Sequence, residues 1–380
     1  MDVSRRRRRQ LGRGPELRRH LRAEPAGRRR RPLTALNRPR VAYVYPNSRR
    51  DLIAGVEAGE AADNQLLGLN HLPALGIDTF AHEPRLEAAG RLTWHARELA
   101  LPWELGDADV AISALANLFP LASRVRGRPR VLVLNFGLNT ILRRSGRARR
   151  RALAASLTAA ARVVCLGAAQ RDELLELARL DPGRVAVVHF GVDVDWMTPV
   201  EAPREPLVLA VGKDLARDYG TLAAALEGLD ARGVFVVHPR NVEGLELPPN
   251  VEVRHDVPWA ELRDLYARAA CVVLGLRRPE FAYGSEASGV TAILEAAAMA
   301  RPAIVSARPI LADYMREGET AVSVPPEHPD ALRAALEALL GDADRSERMG
   351  RAARALVEER FTTRHMAERL AALVRAVAET

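Results

Sequence analysis

Short, nearly continuous apolar runs alternate along the chain with longer stretches in which apolar residues recur at helical spacing. In the first half these runs occupy 40–45, 108–113, 130–136, 162–167 and 184–191, and in the second half 206–212, 233–239, 251–257, 270–276 and 301–307. The intervening stretches, such as 61–75 and 148–161, predict amphipathic helices. Apolar strands between helices are typical of a parallel sheet covered on both faces. Two such series predict an α/β fold with two doubly wound parallel-sheet domains.

The connection between the two series is visible as a change of composition. Residues 196–206 (WMTPVEAPREP) contain three prolines and no periodicity, as expected of a connecting segment. We predict an N-terminal domain over 39–198, a C-terminal domain over 199–362 and a last helix over 363–380. The apolar face of that helix consists of Met366, Leu370, Leu373, Val374 and Val377. This face needs an apolar partner, which either domain could supply, and it could pack back on the N-terminal domain.

Positive charge is concentrated at one end of the chain. The net charge is +8, but residues 1–38 hold 14 arginines against three acidic residues, so the rest of the chain carries −3. A solvated, disordered arginine run is the first interpretation of this tail, and a patch for anionic lipid or nucleic acid is the second. A twin-arginine export signal is disfavoured because no apolar segment follows the arginines. The negative balance of residues 39–380 argues against a nucleic-acid binder.

The two cysteines and the apolar runs bear on location. Cys165 and Cys271 each lie inside an apolar run, as buried thiols of a reducing compartment do. No apolar run approaches the length of a membrane span. We therefore expect a cytoplasmic protein that at most lies against the inner face of the membrane. No group of metal-ligand residues at suitable spacing accompanies the cysteines, so no metal is expected.

Lys213 is the only lysine in a chain with 55 arginines. It directly follows the run 206–212, whose last residue, Gly212, permits a tight exit from a strand. Open α/β sheets bind ligands beyond the carboxyl ends of their strands. Lys213 and Arg217, four residues apart, could bind a pyrophosphate there as a point charge and a fork. A surface loop with ordinary charges is the alternative.

A second candidate site lies in residues 280–306, where SGVT precedes a strongly helical stretch. Ser288 is predicted to cap this helix, and Gly289 would let a ligand approach the free amides of the first turn. Glu295 follows Thr291 by four residues and therefore lies on the same face, one turn deeper. A carboxylate at that position could accept hydrogen bonds from sugar hydroxyls.

In combination these stretches resemble the donor site of retaining GT-B glycosyltransferases of the family 4 type. Residues 294–306 (LEAAAMARPAIVS) resemble the second glutamate, the helix and the following strand of that family. Three further stretches resemble family motifs in the same order: 190–199 (FGVDVDWMTP), 211–222 (VGKDLARDYGTL) and 319–340 (ETAVSVPPEHPDALRAALEALL). The likeness extends from about 162 to 380 and more weakly through 40–160.

The resemblance implies a GT-B fold, with two Rossmann-like domains facing a central cleft. It further implies transfer of a sugar from a nucleotide-diphosphate sugar to a glycan, lipid or small-molecule acceptor, with retained anomeric configuration and without a metal or cofactor. The implied catalytic residues are Lys213, Arg217 and Glu286. The implied donor-binding residues are Gly212, Lys213, Arg217, Glu286, Gly289, Val290, Thr291 and Glu295, with the basic pair on the diphosphate and Glu295 on the ribose.

The sequence departs from the family pattern at two positions. Eight residues before Glu295, where the family has its first glutamate, the chain has Ala287. Glu286 is one position away, and a one-residue insertion would restore its role; Glu280 is a poorer candidate. Where many relatives place a histidine after the central strand of the first domain, the chain has Asn135 and Phe136.

The acceptor is expected against the first domain. Residues 45–65 form a long, charged segment after the opening strand, and we predict a functional loop there. The acceptor-side candidates are Asn47, Arg49, Arg50, Asn64 and Asn135. Because of the two departures, a GT-B-shaped nucleotide-sugar-binding or scaffold protein with impaired catalysis is the alternative to an active transferase.

Overall fold

The computed structural model describes residues 38–83, 91–200 and 204–379. The prediction made for the arginine-rich tail, 1–38, therefore lies outside the described residues except for its last position. Within the described ranges, no helix is both long and apolar enough to cross a membrane.

The described residues form two parallel sheets of six strands each. The strands of the first sheet are β1 (Arg40–Val44), β2 (Asp78–His82), β3 (Val110–Ser113), β4 (Arg130–Asn135), β5 (Arg162–Cys165) and β6 (Val185–Val187). Those of the second are β7 (Leu207–Val211), β8 (Arg232–Val236), β9 (Val251–Arg254), β10 (Cys271–Leu274), β11 (Ala303–Ser306) and β12 (Ala321–Val324). The spatial orders are β2-β1-β3-β4-β5-β6 and β12-β11-β10-β7-β8-β9. Two doubly wound α/β sheets are thus confirmed.

Helices connect the strands and cover both faces of each sheet. In the first half of the chain they are α1 (Arg50–Ala58), α2 (Arg91–Glu104), α3 (Phe119–Arg126), α4 (Leu138–Arg144), α5 (Arg147–Ala159) and α6 (Ala168–Ala178). In the second half they are α7 (Tyr219–Leu226), α8 (Trp259–Arg268), α9 (Val290–Ala298), α10 (Pro329–Leu340), α11 (Ala343–Arg360) and α12 (Thr363–Ala378). Because helices lie on both faces, central strands such as β3, β10 and β11 are buried at every position.

Two strands are not among the apolar runs of the sequence, and both lie at sheet edges. The β2 strand alternates buried and half-buried positions, and in β12 the two middle residues are half-buried. An edge strand is covered less completely than a central one, so polar residues are tolerated and the apolar run is interrupted.

Two local predictions in the N-terminal domain are wrong. Residues 61–75 form no amphipathic helix but two short 3₁₀ turns, at Asn64–Leu66 and Leu72–Leu75. Gly68 between them has a φ of +86°, and a Cβ there would lie 3.1 Å from the Cβ of Ala367, so the chain needs a glycine at this contact. Residues 45–65 are not a continuous loop either, because the helix α1, of 9 residues, lies within the segment.

The last helix lies against the N-terminal domain. Met366, Leu370, Val374 and Val377 are buried, and α12 contacts the 3₁₀ turn at Leu72–Leu75 and strand β3. Its start is fixed by a capping box, in which Thr362 accepts a hydrogen bond from the His365 amide. The chain therefore crosses back to the first domain after completing the second.

Candidate functional site

The loops after β7 and β10 leave the second sheet at its carboxyl edge, where open parallel sheets bind ligands. The first loop carries Lys213 and Arg217 and ends at Asp218, which caps α7 by accepting a hydrogen bond from the Thr221 amide at 3.2 Å. The second loop carries Glu286 and ends at Gly289, where α9 begins. Both loops thus lie at the same edge of the sheet, and the second one contacts the first domain through Glu286.

The two basic residues of the first loop have different surroundings. Lys213 is exposed, and its Nζ lies 2.9 Å from Oδ1 of Asp256, beyond the end of β9. Arg217 is only 5% exposed and folds back over the strand exit, where its Nη2 donates to the Val211 carbonyl. A Cβ on Gly212 would lie 2.5 Å from Arg217 Nε, so the glycine provides the space for the guanidinium.

The start of α9 lies beside Arg217. Gly289, with a φ of +95°, is the N-cap residue, and a Cβ there would lie 3.7 Å from Arg217 Nη1. The prediction that Ser288 is the N-cap is wrong. Its Oγ is buried and makes no hydrogen bond within the described residues. Arg217 Nη1 is likewise buried without a hydrogen-bond partner there. The Arg217 guanidinium and the positive end of the α9 dipole therefore lie next to each other.

Glu295 lies one turn deeper in α9 and is 4% exposed. Tyr266 donates its hydroxyl to Oε2 at 2.9 Å, and Asn64 of the first domain donates its side-chain amide to Oε1 at 3.2 Å. Burial raises the pKa of Glu295 to about 7, against the hydrogen bond from Tyr266, the positive charge of Arg217 and the hydrogen bond from Asn64. The carboxyl group is therefore poised between its neutral and ionised forms near neutral pH.

Glu286, 9% exposed, contacts the N-terminal domain. Its Oε1 accepts hydrogen bonds from the Asn139 amide at 3.2 Å and from Gln170 Nε2 at 2.9 Å. Its Oε2 accepts from the amide of Thr140 at 3.1 Å and from the Thr140 hydroxyl at 2.9 Å. All four donors come from the start of α4 and from α6.

The structure does not bring the five predicted acceptor-side residues together. Asn47, Arg49 and Arg50 lie at the exit of β1, where the Arg49 guanidinium is 5.3 Å from the centre of the Tyr45 ring. Asn64 and Asn135 are fully buried.

Internal contacts occupy both buried asparagines. Besides its bond to Glu295, Asn64 accepts a hydrogen bond from the Asp193 amide at 3.0 Å. The Asn135 side chain accepts hydrogen bonds from the amides of Gly137 and Leu138, at 3.2 and 2.8 Å, and so supports the start of α4. In this arrangement each amide group stabilises the protein itself.

Two residues of the site are not predicted from the sequence. Tyr266 lies in α8, where an isolated tyrosine gives no signal of a carboxylate partner. Arg308 follows β11, and its guanidinium donates to the carbonyls of Ser285 and Arg277 at 3.0 and 2.7 Å. Burial lowers the pKa of Arg308. A basic residue directly after an apolar run was the available signal for Arg308, as it was for Lys213.

Two family models match successive parts of the chain. The model described as Glycosyltransferase Family 4 matches residues 40–196, and the model described as Glycosyl transferases group 1 matches residues 240–356. Between them the two models span most of the chain, which therefore belongs to the group 1 glycosyltransferases. No curated protein matches the chain significantly.

Solved structures of glycosyltransferases share the fold at low sequence identity. A glycosyltransferase from Rickettsia africae is 16% identical, with a TM-score of 0.66 over 90% of this chain and 100% of its own. Anabaena HepE, solved with UDP and glucose, is 12% identical, with a TM-score of 0.67 over 88% and 99%. Sucrose-phosphate synthase from Thermosynechococcus elongatus is 19% identical, with a TM-score of 0.67 over 90% and 99%. The expected GT-B fold is thus confirmed.

Proposed function

We propose that the protein transfers a sugar from a nucleotide-diphosphate sugar, with retention of anomeric configuration and without a metal ion. The observation that carries this proposal is the convergence of Arg217 Nη1, the N-terminus of α9 and, one turn deeper, the Glu295 carboxyl group. A structural neighbour, Anabaena HepE, was solved with UDP-glucose, which supports a donor of this class.

The proposed binding mode assigns one part of the donor to each part of the site. The amides of Gly289, Val290 and Thr291 and the helix dipole of α9 hold phosphate oxygens. Arg217 supplies a buried positive charge beside them, and Glu295 accepts hydrogen bonds from the ribose hydroxyls. The ribose hydroxyls would thereby stabilise the ionised form of a carboxyl group that burial holds near half-protonation.

The chemical step needs stabilisation of the departing nucleoside diphosphate. As the bond between the sugar and the diphosphate breaks, negative charge builds on the leaving phosphate, and fixed donors there lower the barrier. Arg217, buried beside the start of α9, would supply part of this stabilisation. Lys213 is exposed and paired with Asp256, so its ammonium would turn from that carboxylate to the phosphate when the donor binds. This exchange would supply charge mainly in the transition state.

The experiment is a donor screen. Mass spectrometry of the purified protein would identify bound nucleotide, and hydrolysis of a panel of nucleotide sugars would identify the donor. With an active donor, Glu295→Ala should weaken nucleotide binding about tenfold or more, because a charge-assisted hydrogen bond is lost. NMR of the product reports its anomeric configuration, and activity in excess chelator tests metal independence. A product of inverted configuration would contradict the proposed mechanism.

The alternative is a binding or scaffold protein of the same fold. Two observations favour it: Glu286 is fully occupied by contacts to the other domain, and Asn135 stands where many relatives have a histidine. Tight nucleotide binding with no hydrolysis of any nucleotide sugar would support this alternative over the transferase.

We further propose a cytoplasmic location, with peripheral contact to the inner face of the membrane through residues 1–38. The support is the balance of +11 in that segment, which would attract anionic lipid headgroups. The acceptor, which we place against the first domain, would be a glycan, a lipid or a small molecule.

A further inference from the structure

One polar contact between the domains is centred on Glu286. The carboxylate comes from the loop before α9, and its four hydrogen bonds, at 2.9 to 3.2 Å, all come from the first domain. A carboxylate has about four acceptor positions. A sugar hydroxyl could therefore bind Glu286 only by displacing one of these donors. We refer to Glu286 with Asn139, Thr140 and Gln170 as the clasp.

The first domain holds its half of the clasp in place with its own contacts. Gln170 Oε1 accepts a hydrogen bond from the Leu166 amide at 2.7 Å, and Nε2 also donates to the Asn135 carbonyl at 3.0 Å. The Asn139 side chain donates to the Gln170 carbonyl and to Glu173, at 2.9 and 2.8 Å. Contacts within the first domain thus orient the donors of the clasp before the Glu286 carboxylate binds to them.

The second domain connects its half of the clasp to the candidate donor site. Ser285, next to Glu286, donates its hydroxyl to the Phe136 carbonyl across the cleft. The amide of Ser285 donates to the Asp214 carboxylate, next to Lys213, at 3.1 and 3.2 Å. Gly289, at the start of α9, follows Glu286 by three residues. The position of the clasp therefore affects both loops of the site.

We propose that Thr140 and Gln170 are positioning residues, which bind the Glu286 carboxylate, close the cleft and fix the loop that leads to the N-terminus of α9. Glu286 thereby acts between the domains rather than on the sugar. This assignment accounts for the position of Glu286, one residue from the family's first glutamate, because a carboxylate that faces the other domain need not keep the spacing of a sugar ligand. The effect on catalysis rests on the proposed function; the effect on closure does not.

Closure is measured on the ligand-free protein. Cys165 and Cys271 are buried, so dyes can be attached to cysteines introduced at the exposed positions Asp51 and Glu243, one in each domain. Single-molecule energy transfer then reports the populations of closed and open molecules. The proposal predicts that wild type is mainly closed without ligand.

The variants remove one clasp interaction at a time. Thr140→Val removes one hydroxyl donor, and we expect the ratio of closed to open molecules to fall about tenfold, as for loss of one charge-assisted hydrogen bond. Thr140→Ser keeps the hydroxyl and should stay closed. Thr158→Val is the matched control, because the Thr158 hydroxyl is exposed and donates within α5.

A charge exchange tests the contact between Gln170 and Glu286. Gln170→Glu puts a second carboxylate against the first and should open the cleft more than Thr140→Val does. The double variant Gln170→Glu/Glu286→Gln restores a donor–acceptor pair and should recover part of the closed population. Unchanged populations in Thr140→Val and Gln170→Glu, in proteins with a wild-type thermal transition, would overturn the proposal.

Turnover separates the clasp from a sugar contact. If Glu286 acts through the clasp, Thr140→Val and Glu286→Gln lower kcat in parallel. If Glu286 binds the sugar directly, only Glu286→Gln does so, and the proposal fails. If no donor is turned over but closure depends on the clasp, the proposed function fails and the clasp stands.

Discussion

Replacing Glu295 by glutamine should stabilise the fold at alkaline pH while weakening nucleotide binding. Glutamine has the shape of the protonated acid. Its oxygen can accept the hydrogen bond from Asn64, and its amide can donate to the Tyr266 hydroxyl, which can accept as well as donate. The variant thus keeps both contacts without ever carrying the buried charge, which costs free energy wherever wild type is ionised.

The magnitude follows from the pKa of Glu295. The folded protein keeps the proton up to about pH 7, whereas the unfolded chain releases it near the ordinary value of 4.5. The stability that comes from this difference is fully present below pH 4.5 and is lost as the pH rises through 7. The whole interval corresponds to about 3 kcal/mol. Glutamine should therefore match wild type near pH 4.5 and exceed its stability by up to about 3 kcal/mol at pH 8.

The assay is thermal unfolding of wild type and Glu295→Gln at pH 5 and pH 8, with nucleotide affinity measured by calorimetry. For domains of this size about 3 kcal/mol corresponds to a Tm increase of roughly 5 °C or more at pH 8. Glu57→Gln, on the exposed face of α1, is the matched control and should change neither quantity. A variant no more stable than wild type at pH 8 would show that Glu295 carries no buried charge. Unchanged nucleotide affinity would remove Glu295 from the donor site.

Three further predictions concern other parts of the molecule. Lys213→Arg should lower turnover at least tenfold with the fold unchanged, since a planar fork cannot replace a compact ammonium that must turn from Asp256 to phosphate; equal rates would contradict this. Tyr266→Phe removes a hydrogen bond that lowers the pKa of Glu295, so the midpoint of pH-dependent nucleotide binding should move upward, as calorimetry across pH would show. Deleting residues 1–38 should leave the thermal transition intact and reduce salt-sensitive binding to anionic vesicles; loss of the transition would refute this.

The sequence was sufficient to predict the central strands and the two sheets. β10 is apolar and buried at every position, and β4 is apolar and buried at its four middle positions, so both runs are visible in the sequence. The edge strand β2 and the turns at 61–75 could not be predicted in this way. The apolar run of β2 is interrupted because an edge strand is covered less completely. The turns depend on the packing of the final helix, as the close approach of Gly68 to Ala367 shows, and this approach joins segments about 300 residues apart.

The same distinction applies to the candidate site. Arg217 and Glu295 lie in stretches whose local pattern, a strand exit or a helix start, already indicates a ligand site. Tyr266 and Asn64 reach Glu295 from other elements, and no local pattern relates them to it. The local patterns therefore predict Arg217 and Glu295 as ligand-facing groups. They do not predict Tyr266, and they give Asn64 an acceptor-side role rather than its contact with Glu295.

The proposed donor site offers a physical reason for a single lysine among 55 arginines. Arg217 lies in a narrow space between Gly212 and Gly289, where a flat guanidinium fits and where its Nη2 is fixed by a backbone carbonyl. Lys213 is exposed and its ammonium pairs with an exposed carboxylate, an arrangement that high salt screens and that a phosphate could replace. A charge that stays in one place is best supplied by arginine, because its guanidinium is rigid. A charge that changes partner is best supplied by lysine, because its compact ammonium sits on a flexible side chain. In the proposed donor site, Arg217 would thus supply a permanent positive charge, and Lys213 one that moves to the phosphate when the donor binds.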